Sequence, residues 1–292
     1  MIAKVLRKEA RENLKGKWKK ALLIMLLFFT LNFILTLFTY WILINTTYGI
    51  FACILNIFIT VPLSYGLLTC FIRLKRNEKT NYMYLIYDSY KYANKIWKLI
   101  GIVIWKLLAY ILVWGLSLYL MINEFVSLYY GNGMRISYVI EILSVIIFSV
   151  IICMKTLYYS LNNNILYDNK KYKTKEILKE SERLMKNHRW DLIKLNFSFV
   201  GWFLLGIIFS ISIISFLYFV VKIQSVYLTY ITYISLIFLL PYIQIANICF
   251  YDNLLYNNPK PKEEKRNNKK RNKKWNRFFY FFFYLKCIDK IK

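Results

Sequence analysis

Long apolar runs dominate the chain, and the polar stretches between them are alternately basic and nearly uncharged. A helix needs about 20 mostly apolar residues to cross the hydrocarbon layer of a bilayer. Six runs reach that length, over 21–44, 48–71, 98–122, 137–157, 195–221 and 226–250. Lys4, Arg7, Lys8, Arg11, Lys15, Lys17, Lys19 and Lys20 precede the first run, and no cation separates the first from the second. Arg73, Lys75, Arg76, Lys79, Lys91, Lys95 and Lys98 follow the second, whereas only Arg135 follows the third. The stretch from Lys155 to Lys194 is again densely basic, the next holds only Lys222, and the part beyond Asn253 is strongly basic. Lys and Arg are retained on the cytoplasmic side, so this alternation predicts a multi-pass inner-membrane protein with both termini cytoplasmic. The first basic segment is longer than that of a signal peptide and no small-residue cleavage site follows, which predicts an uncleaved anchor.

Each basic segment is predicted to end in an amphipathic helix that runs into the next span, within 1–20, near 81–97 and over 174–190. In the last, Ile177, Ser181, Leu184, Met185 and His188 share a face opposite Lys175, Lys179, Glu182, Lys186 and Arg189. Thr174 is the expected N-cap, and Glu182 with Lys186 the expected i,i+4 pair. In the middle segment Leu85, Ile86, Tyr90, Ala93 and Trp97 form the apolar stripe, away from Asp88, Lys91 and Lys95. Trp18, Trp97 and Trp190 mark the three junctions. The expected fold is therefore all-α, a polytopic bundle of about six transmembrane helices built as three amphipathic-elbow-plus-hairpin units. The membrane domain covers 21–255, and 256–292 form a basic cytoplasmic tail. Its Lys/Asn-rich part cannot bury a core, and the aromatic segment 278–285 is too short to span but suits the interface.

Composition sharpens this picture. Of 292 residues 58% are hydrophobic, more than the roughly 45–50% of soluble domains. The formal net charge is +26, from 41 Lys and Arg against 15 Asp and Glu. Such charge could serve nucleic acid, but it is distributed as membrane topology demands, so no nucleic-acid partner is expected. Anionic lipid headgroups are the expected partner, with Lys269, Lys270, Arg271, Lys273 and Lys274 of the tail as contacts. An unknown protein partner is the other candidate. Cys53, Cys70, Cys153, Cys249 and Cys287 form no C-x-x-C pair and His188 is the sole histidine, which argues against metal or disulfide frameworks. No phosphate-binding loop, dinucleotide fingerprint or nucleophile elbow occurs. Neither enzymatic activity nor a cofactor is expected.

Polar residues within spans are the remaining pointers to function. Lys106 lies about two turns inside the third span and can snorkel to the inner surface. Glu141, in the fourth, differs from it in depth by about 15 Å, so no pairing is expected. In the sixth span Pro241 is followed by Gln244, Asn247 and Tyr251 at helical spacing. Lys106, Gln244 and Asn247 are the candidate intramembrane polar site, against the plainer reading that the amides join helices. Asn56 and Pro62 invite the same two readings. Gly201, Gly206 and Ser210 form an expected close-packing face.

Two regions carry a family resemblance. Arg7, Ala10, Leu14, Lys15, Gly16, Trp18 and Ala21 are similar to the opening of a bacterial integral-membrane family known as domain of unknown function 975. The stretch containing Ser181, Arg183, Met185 and Trp190, with Ser198, Gly201 and Trp202 beyond it, resembles that family's most distinctive segment. Pro241, Tyr242 and Tyr251 resemble its closing helix. The chain departs from the family at Asn187, where glycine is usual, and in the tail from Pro259. The resemblance implies a multi-span helical protein of the bacterial inner membrane and implies no activity. The leading expectation is a non-enzymatic envelope protein that organises lipids or partner proteins at the inner leaflet. The alternative is a small-solute transporter or channel.

Overall fold

The structure, a computed structural model, describes residues 2–45, 48–130, 136–220 and 231–258. The tail lysines and arginine named above, with Arg135 and Lys222, lie outside the described residues. Met1–Asp252 forms one compact unit, and a second begins at Asn253.

The helices are α1 (Ile2–Leu14), α2 (Trp18–Asn45), α3 (Gly49–Lys75), α4 (Tyr84–Tyr129), α5 (Ile136–Thr156), α6 (Asn162–Asp168), α7 (Thr174–Met185), α8 (Arg189–Phe197), α9 (Val200–Val220) and α10 (Ile231–Asn257). A 3-10 turn, Leu157–Tyr159, links α5 to α6. No strand occurs among the described residues. Five segments are long and apolar enough to cross a membrane: Trp18–Asn45, Gly49–Lys75, Tyr84–Ser127, Ser137–Asp168 and Arg189–Phe216. α10 stands where the sixth run was expected; the residues leading into it, 221–230, lie outside the described set. Large apolar side chains such as Phe38, Trp41, Leu112, Leu116, Ile146, Ile147, Leu205 and Phe209 are exposed along these helices. Apolar surface on this scale suits hydrocarbon, not water. The chain is a multi-pass helical membrane protein.

Hairpins α2–α3 and α4–α5 pack side by side through α3 and α4. One end of the bundle carries the helices α1, α6, α7 and α8. We call it the basic end. Two elbows there share a backbone device. Gly16 takes φ 77° between α1 and α2, and Asn187 takes φ 70° between α7 and α8. Left-handed φ lets a helix stop and turn; glycine adopts it freely and asparagine tolerates it. Asn187 thus does the work of the glycine usual in the resembling family. Asn187→Gly is expected to leave thermal stability within about 0.5 kcal/mol of the parent, and Asn187→Val to lose about 1–2 kcal/mol. Comparing the unfolding midpoints of the two purified variants checks both.

The middle unit differs. There the amphipathic segment and the span form one continuous helix, α4, about 69 Å long at 1.5 Å per residue. Asn94 stays helical, so no elbow forms before Trp97. The buried face is also not the expected apolar stripe. Leu85, Asp88, Ser89, Ile96 and Leu99 are buried, while Tyr90 is 63% exposed. Asp88 can turn inward because Arg73 meets it there. At the third elbow α7 begins one residue after its cap, Lys173, whose backbone N–H donates to Glu176 Oε2 (3.0 Å); Thr174 lies inside the helix. Ile177, Ser181, Leu184 and Met185 are fully buried as expected. The apolar faces of α1 and α7 are thus packed on protein. Gly201 is exposed with open space around it, so it packs no helix closely within the chain. Ser210 of the same expected face is buried, and a still closer approach falls at Gly66, which meets Leu85 and Ser89 of α4.

Candidate functional site

At the basic end, the last turn of α3 presents Arg73, Lys75 and Arg76. Successive helix residues are about 100° apart, so the three cations fan toward different neighbours. Arg73 faces α4: its Nη2 lies 2.7 Å from Asp88 Oδ2, and its guanidinium stacks 3.8 Å over the Tyr84 ring. Lys75 lies 2.7 Å from Asp252 of α10 and 3.4 Å from Glu9 of α1. Arg76 makes a two-pronged contact with Asp168 of α6, at 2.5 and 3.2 Å, and reaches Asp252 at 3.2 Å. The Tyr251 hydroxyl donates to Asp168 Oδ2 (2.9 Å), and that of Tyr167 to Glu78 (2.8 Å). One turn of α3 therefore ties α1, α4, α6 and α10 together. The Arg76 guanidinium gains further basicity, chiefly from its hydrogen bond to Asp168, against some loss from burial.

Further ties fix the elbow helices. Arg7 of α1 donates to the Ser198 carbonyl between α8 and α9 (3.1 Å), and the Tyr242 hydroxyl donates to the Arg7 carbonyl (3.0 Å). The Tyr242 ring meets Phe199 edge-on, 5.0 Å between centroids. Lys17 caps the end of α3 by donating to the Leu74 carbonyl (2.9 Å). On α7, Ser181 Oγ donates to the Tyr158 carbonyl (2.7 Å), and Arg189 lies 4.3 Å over the Tyr158 ring.

Lys106 reaches this layer too. Its ammonium sits 2.7 Å from Glu182 Oε1, and the Tyr159 hydroxyl donates to the same oxygen (2.8 Å). Glu182 therefore pairs with Lys106 in place of the expected Lys186, because α7 lies against α4. Burial alone would push the Glu182 carboxyl up, but the hydrogen bonds from Lys106 and Tyr159 outweigh it and hold the group below its ordinary value. A depressed folded value means this contribution is present above the unfolded value of about 4.3 and is lost as pH falls through the lower folded one. The pair is more than one-third exposed, so solvent screens it. Acidification through that window is expected to lower the protection of α7 amides relative to their intrinsic exchange rates, and Glu182→Gln to remove that loss of protection; exchange followed by mass spectrometry and normalised to the intrinsic rate at each pH checks it.

The remaining residues singled out by sequence disperse. Among the described residues no hydrogen bond or ion pair joins Lys106 to Gln244 or Asn247; Lys106 is paired with Glu182 instead. Asn247 Oδ1 is buried without a hydrogen-bond partner. Asn56 donates to Thr39 (2.9 Å), joining α2 to α3. Arg183 pairs with Glu180 at 3.0 Å, and Met185 is fully buried. Pro241 is buried within α10, and Trp18 is half-buried at the start of α2. Trp190 and Trp202 are about 60% exposed, as rings at headgroup depth would be. Among the described residues no group of three or more His, Cys, Asp or Glu is placed to hold a metal ion.

The sequence held an unread signal for the α3 ties. Tyr87-Asp88, Tyr167-Asp168 and Tyr251-Asp252 are three Tyr-Asp dipeptides, and each aspartate pairs with a cation in the last turn of α3. With acids so scarce beside 41 cations, three recurring in one dipeptide were informative.

The match that this layout attracts is to a family model described as protein of unknown function (DUF975), over residues 1–258. The chain belongs to that family. No curated protein and no solved structure matches it.

Proposed function

We propose that this is a non-enzymatic protein of the bacterial cytoplasmic membrane, with six spans and its basic end in the cytoplasm, which holds lipids or partner proteins at the inner leaflet. The observation that carries the reading is the one-sided build of the bundle. Cations, amphipathic helices and interhelical ion pairs gather at one end of the described helices. Charge alternation along the chain supports the orientation, since Lys and Arg stay inside. The ties from Arg73, Lys75 and Arg76 hold four helices in one arrangement, as a platform for association requires.

The test is purification in mild detergent from the native membrane, followed by mass spectrometry of everything retained. A stoichiometric protein or a sharply enriched lipid supports the reading, and its loss in Arg183→Ala or Trp190→Ala locates the contact. A preparation carrying bulk lipid alone counts against it. The second reading is a small-solute transporter, favoured by the unpartnered Asn247 Oδ1 beside Pro241 and Gln244 in α10. A buried polar group without a partner is a natural place for a polar solute or water. Flux into reconstituted vesicles that falls in Asn247→Leu would establish it, and no flux across a solute panel would sink it.

A further inference from the structure

We propose that the outward face of α1 binds anionic phospholipid headgroups and selects them over zwitterionic ones. The proposal deepens the reading above and rests on it for the leaflet concerned.

α1 has already used its apolar face. Leu6, Ala10 and Leu14 are fully buried, and the helix packs on α8. On the other side stand Lys4, Lys8, Arg11 and Lys15, spaced i, i+4, i+7, i+11. That spacing draws them into one line about 17 Å long. All four are exposed, and none has an ion-pair partner among the described residues. Other cations of the basic end contrast with them. Arg73, Lys75, Arg76 and Lys106 are matched to carboxylates, and Lys17 caps α3. Asp88, Asp168, Asp252, Glu182 and Glu9 are engaged with those other cations; Glu12, exposed beside Lys8, Arg11 and Lys15, offsets part of the α1 line and leaves it net positive toward an outside anion.

Depth identifies that anion. Arg7 is bonded to the Ser198 carbonyl, two residues before α9 begins, and to Tyr242 of α10. At the other end of α1, Gly16 turns the chain straight into α2, whose first turn exposes Lys19 and Lys20. The helix therefore lies where two apolar helices begin, at the level of headgroups. Lipid phosphates are at hand there at high local concentration, whereas a soluble polyanion must approach from bulk. A basic residue at such a surface favours anionic lipid by up to about fivefold when it acts alone, and several that share the same few headgroups contribute less than the product.

The experiment uses the full chain in nanodiscs of phosphatidylcholine with a minor share of phosphatidylglycerol, with retained lipid read by native mass spectrometry. Both leaflets have one composition, so the outcome is independent of which way the protein inserts in cells; maleimide labelling in cells of Lys4→Cys, in a background with the five native cysteines replaced by serine, tests that separately. The parent is expected to enrich phosphatidylglycerol, and Lys4→Gln/Lys8→Gln/Arg11→Gln/Lys15→Gln to lose about tenfold of that enrichment. Raising the salt is expected to shrink the parent's enrichment in the same direction. Lys4→Arg/Lys8→Arg/Lys15→Arg, which keeps the charge and the fold, should retain it. Equal enrichment in parent and glutamine variant overturns the proposal. So does a parent without lipid preference that instead captures a labelled DNA duplex.

Discussion

Replacing Asp88 with asparagine is expected to cost the protein about 3–5 kcal/mol of stability, a collapse for most folds of this size. Arg73 and Asp88 are only 11% and 6% exposed, so the substitution leaves the guanidinium without its counter-charge where little water can replace it. Removing one member of a buried pair leaves the full desolvation penalty on the other, which exceeds what the pair contributes when intact. The stacking of Arg73 on Tyr84 cannot compensate, since that contact is already made in the parent. The reciprocal change, Arg73→Met, should be similarly damaging. The double variant Arg73→Met/Asp88→Leu, with neither charge left, should recover most of the loss. Thermal unfolding of the four proteins in one detergent checks this. A double variant no better than the singles would show that the two residues act separately.

The second large effect is expected at Gly66. A Cβ there would stand 1.9 Å from the Leu85 carbonyl oxygen and 2.2 Å from Ser89 Oγ. The serine could rotate away, but the backbone oxygen cannot without moving α4. Gly66→Ala should therefore spread α3 from α4 and cost at least about 1–3 kcal/mol, the usual penalty for overpacking a tight core. Trimming the hydroxyl with Ser89→Ala should relieve little, because the nearer obstacle is backbone. Gly101 and Gly115 of α4 supply the control, since a Cβ at either meets nothing within 4 Å. Alanine there should be neutral or stabilising by up to about 1 kcal/mol through helix propensity. Equal unfolding midpoints for all three alanine variants would refute the close approach.

Much of the architecture was legible in sequence, because a membrane span is a one-dimensional property. Length and apolarity of a run decide whether it can cross a bilayer, and five helices appear over the runs that predicted them. The amphipathic face of α7 was legible in Ile177, Ser181 and Met185, which are buried; its end was not, since the helix stops at Met185 and turns at Asn187 where one continuous helix to 190 was expected. Asn187 was read only as a departure from a family glycine; the backbone gives it the glycine's conformation. The middle elbow was overread. Periodicity marked an amphipathic segment over 81–97, but only a residue in left-handed conformation separates such a segment from its span, and Asn94 remains helical.

The partners of the charges were out of reach for the opposite reason. Glu182 was matched to Lys186 because a sequence displays neighbours four residues apart, whereas its partner Lys106 lies 76 residues away. Asp88 was placed on the outer face because a lone carboxylate is costly to bury, and the cation that makes its burial tolerable comes from another helix. Hydrophobic length, cation alternation and helix type are local quantities, summed along the chain, and the sequence alone determined them for this protein. Which face of α4 turns inward, where α3 and α4 touch, and which cations are left free on α1 are set by distances between helices. Those depend on how each segment's charge and volume meet another's, and the tertiary structure alone decided them.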